Sequence, residues 1–162
     1  MIVAAEIAGY FAAHAIWCVA DGPGLIPMLA YTTADGEKQM MRLAHDDLEE
    51  AMRFGKDYLD NNRMDANDAV LIYDGTMTVK GEAFDAILLE LRAYGWPEAA
   101  IVIGVPYTPS SPGPFAVHKP KLLVKEHSED FETERIFQAF FEGVESHAEG
   151  SKVWMDALDE SR

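Results

Sequence analysis

Cys18 and His14 stand four residues apart in one apolar segment, a spacing that puts a thiol and an imidazole on the same face of a helix. A thiolate activated by that imidazole would be a nucleophile. The surrounding segment argues against this use, because apolar burial raises a thiol's pKa and suppresses the thiolate. The expectation is an inert core cysteine beside a satisfied core histidine. The pair would matter only if that helix face opened onto a cleft.

Two further clusters mix imidazole with carboxylate: His45-Asp46-Asp47 and Glu126-His127-x-Glu129-Asp130. Metal ligands on one helix need i,i+3 or i,i+4 spacing, or must come from separate segments, and neither cluster has that pattern. Both read as helix starts and surface, and no metal site or cofactor is expected. His147, twenty residues beyond His127, fits no pattern. Asp74, Asp85 and Glu90-x-Arg92 fall on successive β segments and faintly suggest the acidic cluster of a metal-dependent nuclease. Arg stands where such sites usually want Lys, and a turn role for Asp74 is the simpler reading.

The least ordinary local sequence runs from Pro106 to Pro114, with four of the eight prolines in nine residues and Tyr107 at its root. Such a stretch is stiff and extended, and serves as a connector, a pocket lid or a docking rail. His118 follows closely, so Tyr107 and His118 are the candidate ligand-binding pair, an acid and a base beside one pocket. The chain has no Gly-x-Gly-x-x-Gly, Walker A, Gly-x-Ser-x-Gly, His-Glu-x-x-His or EF-hand pattern.

Charge is the strongest global signal, at −15 on 162 residues that are still 49% hydrophobic. A chain of this length builds one core and buries roughly 68–70% of its unfolded surface, so the acids decorate a folded body. Residues 1–20 carry one charged side chain, Glu6, whereas residues 126–162 hold eleven acids against Arg135, Lys152 and Arg162, leaving −8 at that end. An acidic pole repels a nucleic-acid backbone and attracts basic proteins or cations. One cysteine permits no internal disulfide, in keeping with a reducing cytoplasm. Ile2 to Ala20 lacks a basic leader, carries Glu6 and His14, and runs into Asp21-Gly22-Pro23-Gly24, so it reads as a buried helix rather than a signal or membrane span.

The elements follow from punctuation. Asp35-Gly36 predicts a hairpin between Leu25–Thr33 and Glu37–Ala44, with Pro27 placing the first strand at a sheet edge. Asp46–Asn62 reads as an amphipathic helix capped by Asp46, with Glu49–Arg53, Arg53–Asp57 and Lys56–Asp60 pairs along its outer face. A meander follows: Val70–Tyr73, Thr76–Lys80, Phe84–Tyr94, Ala99–Tyr107 and Phe115–Lys125, with turns at Asp74-Gly75 and Lys80-Gly81. Phe84–Tyr94 also fits a helical stripe, but its flanking turns favour a strand. Runs such as Ile87-Leu88-Leu89 require both sheet faces to be covered, by the N-terminal helix or by another subunit.

Ser128 with Glu129 and Asp130 opens a C-terminal helix whose apolar face is Ile136, Phe137, Phe140, Phe141, Val144 and Ala148, and Gly150 stops it. A short helix from Ser151 lines up Val153, Trp154, Ala157 and Leu158, so residues 151–162 form a tail that docks on its own body or on a partner. Val153, Trp154 and Leu158 are the candidate interface.

The whole is expected to be a single α+β domain over residues 1–162, with a largely antiparallel sheet, a hairpin plus a meander, packed by helices. Its leading functional reading is a non-catalytic cytoplasmic interaction protein, a homodimer that contacts a basic protein. An inhibitor or immunity-type partner of a basic toxin or nuclease is the extreme form of that reading. A small-molecule enzyme with its pocket at the proline-rich loop is the alternative.

Overall fold

A computed structural model describes residues 1–22, 24–95, 98–126 and 132–162. Among them the chain forms α1 (Ile2–Asp21), β1 (Met28–Thr33), β2 (Lys38–Arg42), α2 (Leu48–Asp60), β3 (Ala66–Val79), β4 (Glu82–Ala93), β5 (Ala99–Thr108), β6 (Ala116–Val117), β7 (Lys121–Glu126), α3 (Thr133–Ser146) and α4 (Ala148–Asp156). The strands make one antiparallel sheet in the order β2-β1-β3-β4-β5, with β6 and β7 both pairing along the far side of β5. This is the α+β domain expected, and the segment from Phe84 is indeed strand, part of β4, which ends at Ala93.

Helices cover the sheet unequally. On one face α1 lies against Met28, Val70, Ile72, Ile87, Leu89, Ile101, Ile103 and Val105, with α3 and α4 stacked beside it. Alanine makes this possible. Ala4, Ala5, Ala8, Ala12, Ala13 and Ala15 are fully buried, so α1 presents a thin surface on which sheet and helix backbones approach closely. On the opposite face α2 packs Ala51 and Leu59 onto Leu29, Ala69 and Leu71, mainly over β1 and β3. The remainder of that face carries a small cluster of Met77, Val79 and Ala86, with Phe84 and Leu88 partly open. The second face is therefore covered by α2 at one end, rather than by the N-terminal helix.

Several local expectations are corrected. Asp74-Gly75 is no turn, since β3 runs 14 residues straight through it and pairs Asp74 with Ile87 and Gly75 with Ala86. The Leu88 side chain occupies the space that a Cβ at Gly75 would need, which is why a glycine is tolerated mid-strand. The true reversal is Lys80-Gly81, both at positive φ (51° and 82°), a two-residue primed turn that matches the strand twist. At Asp35-Gly36 only the glycine is left-handed (φ 85°), and the four-residue connection closes with Gly36 N–H on the Thr33 carbonyl. Pro27 precedes β1 rather than belonging to it, so the edge strand is β2.

The expected strand 115–125 is split. His118 N–H still bonds the Pro106 carbonyl of β5 at 2.9 Å, but Pro106 has no N–H to return the bond and Pro120 has none to give. α2 is capped by Asp47, whose carboxylate accepts Glu49 N–H at 3.0 Å, and not by Asp46. Its charges also pair off the helix: Asp57 with Arg63, Lys56 with Glu90, and Asp60 with Arg92. Glu90 and Arg92 sit on the sheet under α2, a nearer and more buried set of partners than the next helical turn.

The proposed start of the C-terminal helix at Ser128 lies outside the described residues. α3 ends at Ser146 with His147 as its C-cap, and Gly150 belongs to the first turn of α4 rather than stopping a helix. Packing requires that glycine, because a Cβ there would lie 2.3 Å from the Ala13 carbonyl oxygen. The tail folds back on its own body, where Val117 N–H bonds the Ala157 carbonyl and Asp159 N–H bonds the Val117 carbonyl.

Candidate functional site

Tyr107 and His118 come from neighbouring strands but point to opposite faces of the sheet. Tyr107 is 6% exposed on the α1 face, and its hydroxyl donates to Asp74 Oδ1 at 2.8 Å. Burial, then that hydrogen bond and the charges of Asp74 and Asp85, push the phenol well above its usual range. Burial likewise raises the Asp74 carboxyl, Asp85 adds to the effect, and the Tyr107 hydroxyl opposes it. His118 is 2% exposed. Its Nδ1–H donates to the Asp159 carbonyl at 3.1 Å, which leaves Nε2 to accept from Thr108 Oγ1 at 2.9 Å, and its ring packs on Phe84. Because residues alternate along β5, Thr108 and its partner His118 lie across the sheet from Tyr107. The structure gives each a complete set of partners and does not bring them to one cleft.

The acidic residues of the meander are also separated. Tyr73 donates to Glu90 at 2.8 Å, Lys56 approaches Glu90 at 3.6 Å, and Arg92 holds Asp60 at 3.0 Å, a network that docks α2 on the sheet. Asp74 lies on the other face with Tyr107. Among the described residues no three His, Cys, Asp or Glu side chains converge on a metal position. His45 lies tilted against Phe54, ring centroids 5.1 Å apart, and His127 falls outside the described residues.

Cys18 and His14 acquire a third partner that sequence spacing could not show. His14 Nδ1 is 3.2 Å from His147 Nε2, and Cys18 Sγ is 3.7 Å from His14 Nε2. His147 is buried at the α3–α4 junction, its ring against Tyr10, His14 and Trp17. The residues on α1 are half open, for Cys18 and His14 are only partly buried while Tyr10 and Trp17 are exposed. Burial lowers His14 from its usual range, with His147 and Arg42 adding to this, and burial raises the Cys18 thiol against an opposing pull from Arg42. No feature of the sequence around His147 signals this contact, which depends on the α1–α4 crossing.

The tail helps to enclose an apolar hollow at the acidic pole. A hollow of about 310 Å³ is lined by Phe141, Val144, Trp154, Met155 and Leu158, with Lys119 and Pro120 on one side and Glu145 and Glu160 at its rim. Of the three interface candidates, Trp154 is 1% exposed and forms the floor, packed edge-on against Phe140 and Phe141. Leu158 lines the wall and Val153 is half-buried against the core. The open apolar atoms belong to Phe141 and Met155, 39% and 62% exposed, which the stripe pattern assigned to a buried face or left unassigned.

Compared with known proteins, the chain matches no family, and neither a curated protein nor a solved structure is detectably similar to it.

Proposed function

We propose that this protein is a non-catalytic cytoplasmic interaction module whose acidic C-terminal pole receives a basic segment of another protein. One observation carries the reading: the apolar hollow at Phe141, Trp154, Met155 and Leu158 opens within the most acidic part of the chain. Glu145 and Glu160 stand at its rim, and Glu142, Glu149 and Asp156 are exposed elsewhere on α3 and α4. An apolar anchor flanked by lysines or arginines complements that surface, with the anchor supplying affinity and the charges supplying encounter rate. The volume suits one large side chain.

The test is titration of the full-length protein with a labelled amphipathic peptide of alternating Leu and Lys turns, alongside the same peptide with Glu for Lys. The basic peptide is expected to bind, weakening at least about tenfold between low and physiological salt. Met155→Ala and Glu145→Lys are each expected to weaken it, and both alter exposed positions. Equal binding of the two peptides, or salt-indifferent binding, would overturn the proposal.

Self-association accompanies this reading. The far edge of the sheet presents β7 with Leu123 and Val124 exposed at 42% and 45%, an open strand of the kind that pairs with a second copy. Light scattering giving a monomer at all concentrations would remove that part alone.

A further inference from the structure

β2 ends the sheet, and its outer edge carries a regular row of backbone groups. Thr33 N–H bonds the Glu37 carbonyl at 2.9 Å and Leu43 N–H bonds the Pro27 carbonyl at 2.8 Å, so every second residue from Glu37 to Leu43 faces β1. Lys38, Met40 and Arg42 therefore turn their N–H and C=O groups away from the sheet. Their side chains share one face as well. They pair with Thr32, Ala30 and Met28, and Ala30 and Met28 belong to the α1-side core, so the three stand on the α1 face. Among the strands α1 lies mainly over β3 and β4, which leaves this margin open. Met40 is 40% exposed there, and a hollow of about 350 Å³ opens beside Lys38, lined by Glu6, Ile7, Tyr10, Phe11 and Ser146.

Along that row the side chains run base, methionine, base. In a chain with 28 acids, neither Lys38 nor Arg42 has an ion-pair partner among the described residues. Charges on an edge strand block pairing with strands of like charge. Two copies of β2 paired antiparallel about Met40 would set Lys38 against Arg42 twice, so a second copy of this strand is the wrong occupant. An acidic strand is the right one. Laid antiparallel along β2, it exchanges both backbone bonds at Lys38, Met40 and Arg42, and its residues opposite these three stand on the same face. Acids opposite Lys38 and Arg42, with an apolar residue opposite Met40, complement the whole row. The net charge of −15 opposes an acidic partner at long range, but physiological salt screens that field beyond about 8 Å, whereas cross-strand partners stand about 5.5 Å apart.

We propose that β2 is a docking edge for an extended acidic segment of another protein, one that adds a strand with the pattern acid-x-apolar-x-acid. Backbone pairing supplies the affinity, and the alternate side chains opposite Lys38, Met40 and Arg42 supply the selection. The site is independent of the hollow on α3 and α4, which takes a segment of opposite charge.

The experiment titrates the full-length protein, at physiological salt, with the end-blocked peptide Thr-Glu-Thr-Leu-Thr-Glu-Thr and follows backbone amide shifts by NMR. Before peptide is added, the amides of Lys38, Met40 and Arg42 should exchange with solvent faster than those of Gln39 and Met41, which bond β1. On titration, shifts are expected at Lys38, Met40 and Arg42. Gln in place of both Glu residues should weaken binding about fivefold or more, and N-methylation of the Leu, which removes the donor for the Met40 carbonyl, should abolish it. Combining Lys38→Gln with Arg42→Gln, both at exposed positions, should erase the preference for Glu over Gln. Slow exchange at the three outward amides would overturn the proposal, because the edge would then be covered already, by a second copy or otherwise. So would the absence of binding, shifts confined to α3 and α4, equal binding of the Gln or N-methyl peptide, or a Glu preference unchanged in the double variant.

Discussion

Gly9 of α1 and Gly143 of α3 meet at one helix crossing, where each lies directly against the other helix's backbone. A Cβ on Gly9 would fall 1.7 Å from the Phe140 carbonyl oxygen, and a Cβ on Gly143 would fall 2.0 Å from the Glu6 carbonyl oxygen. Backbone cannot swing aside as a side-chain end can, so the spacing of α1 and α3 is set by these two residues.

Gly9→Ala and Gly143→Ala are each expected to destabilise the protein by about 3 kcal/mol, at the upper end of overpacking costs. Alanine's better helix propensity, worth about 1 kcal/mol, does not offset this. Gly113→Ala, with open space around it, should stay within about 0.5 kcal/mol. Urea unfolding of the three variants checks the ranking, and an innocuous Gly143→Ala would mean that the helices sit farther apart.

Tyr107→Phe removes the hydroxyl that Asp74 accepts from, at an expected cost of about 1 kcal/mol. The Asp74 carboxyl should then titrate still higher, because that hydrogen bond lowers its pKa. Tyr10→Phe is the control, since the Tyr10 hydroxyl has no hydrogen-bond partner among the described residues. Thermal melting reads the first effect and carboxylate titration by NMR reads the second.

Glu90→Ala leaves the Tyr73 hydroxyl and Lys56 without their shared partner and takes a carboxylate from beside Arg92. With Glu90 13% exposed, the loss should be about 2 kcal/mol, and hydrogen exchange in α2 should accelerate more than in α1. Equal acceleration in both helices would show that the network does not act through α2.

His14 is held below its ordinary pKa in the folded chain, first by burial and then by His147 and Arg42. The unfolded chain therefore binds its proton more readily, and the contribution of neutral His14 is present above the unfolded value near 6.5 and lost as pH falls through it. Melting temperature should drop between pH 7.5 and 5.5, and His14→Gln should flatten that slope. A slope unchanged in the variant would place the acid sensitivity elsewhere.

Much of the fold was legible from local signals. Lys80-Gly81 specifies its own turn, Phe84–Tyr94 declares a strand through the turns around it, and the alanine-rich first segment reads as a buried helix because it has almost no polar face. Asp74-Gly75 misled for a physical reason. Its dipeptide is a turn former in isolation, but β4 supplies a full ladder opposite it, and Leu88 fills the gap above the glycine.

The candidate sites divide along the same line. Composition alone placed eight of the net negative charges in residues 126–162, and spacing alone paired Cys18 with His14. Only the tertiary structure brought His147 to that pair, because the contact depends on where α4 crosses α1. It also set Tyr107 and His118 on opposite faces, since β6 pairs with β5 in a register that sequence distance does not encode. Charge and local propensity act over a few residues and survive in the sequence. Which side chains meet across 133 positions is decided by packing, here by glycines that let helices touch.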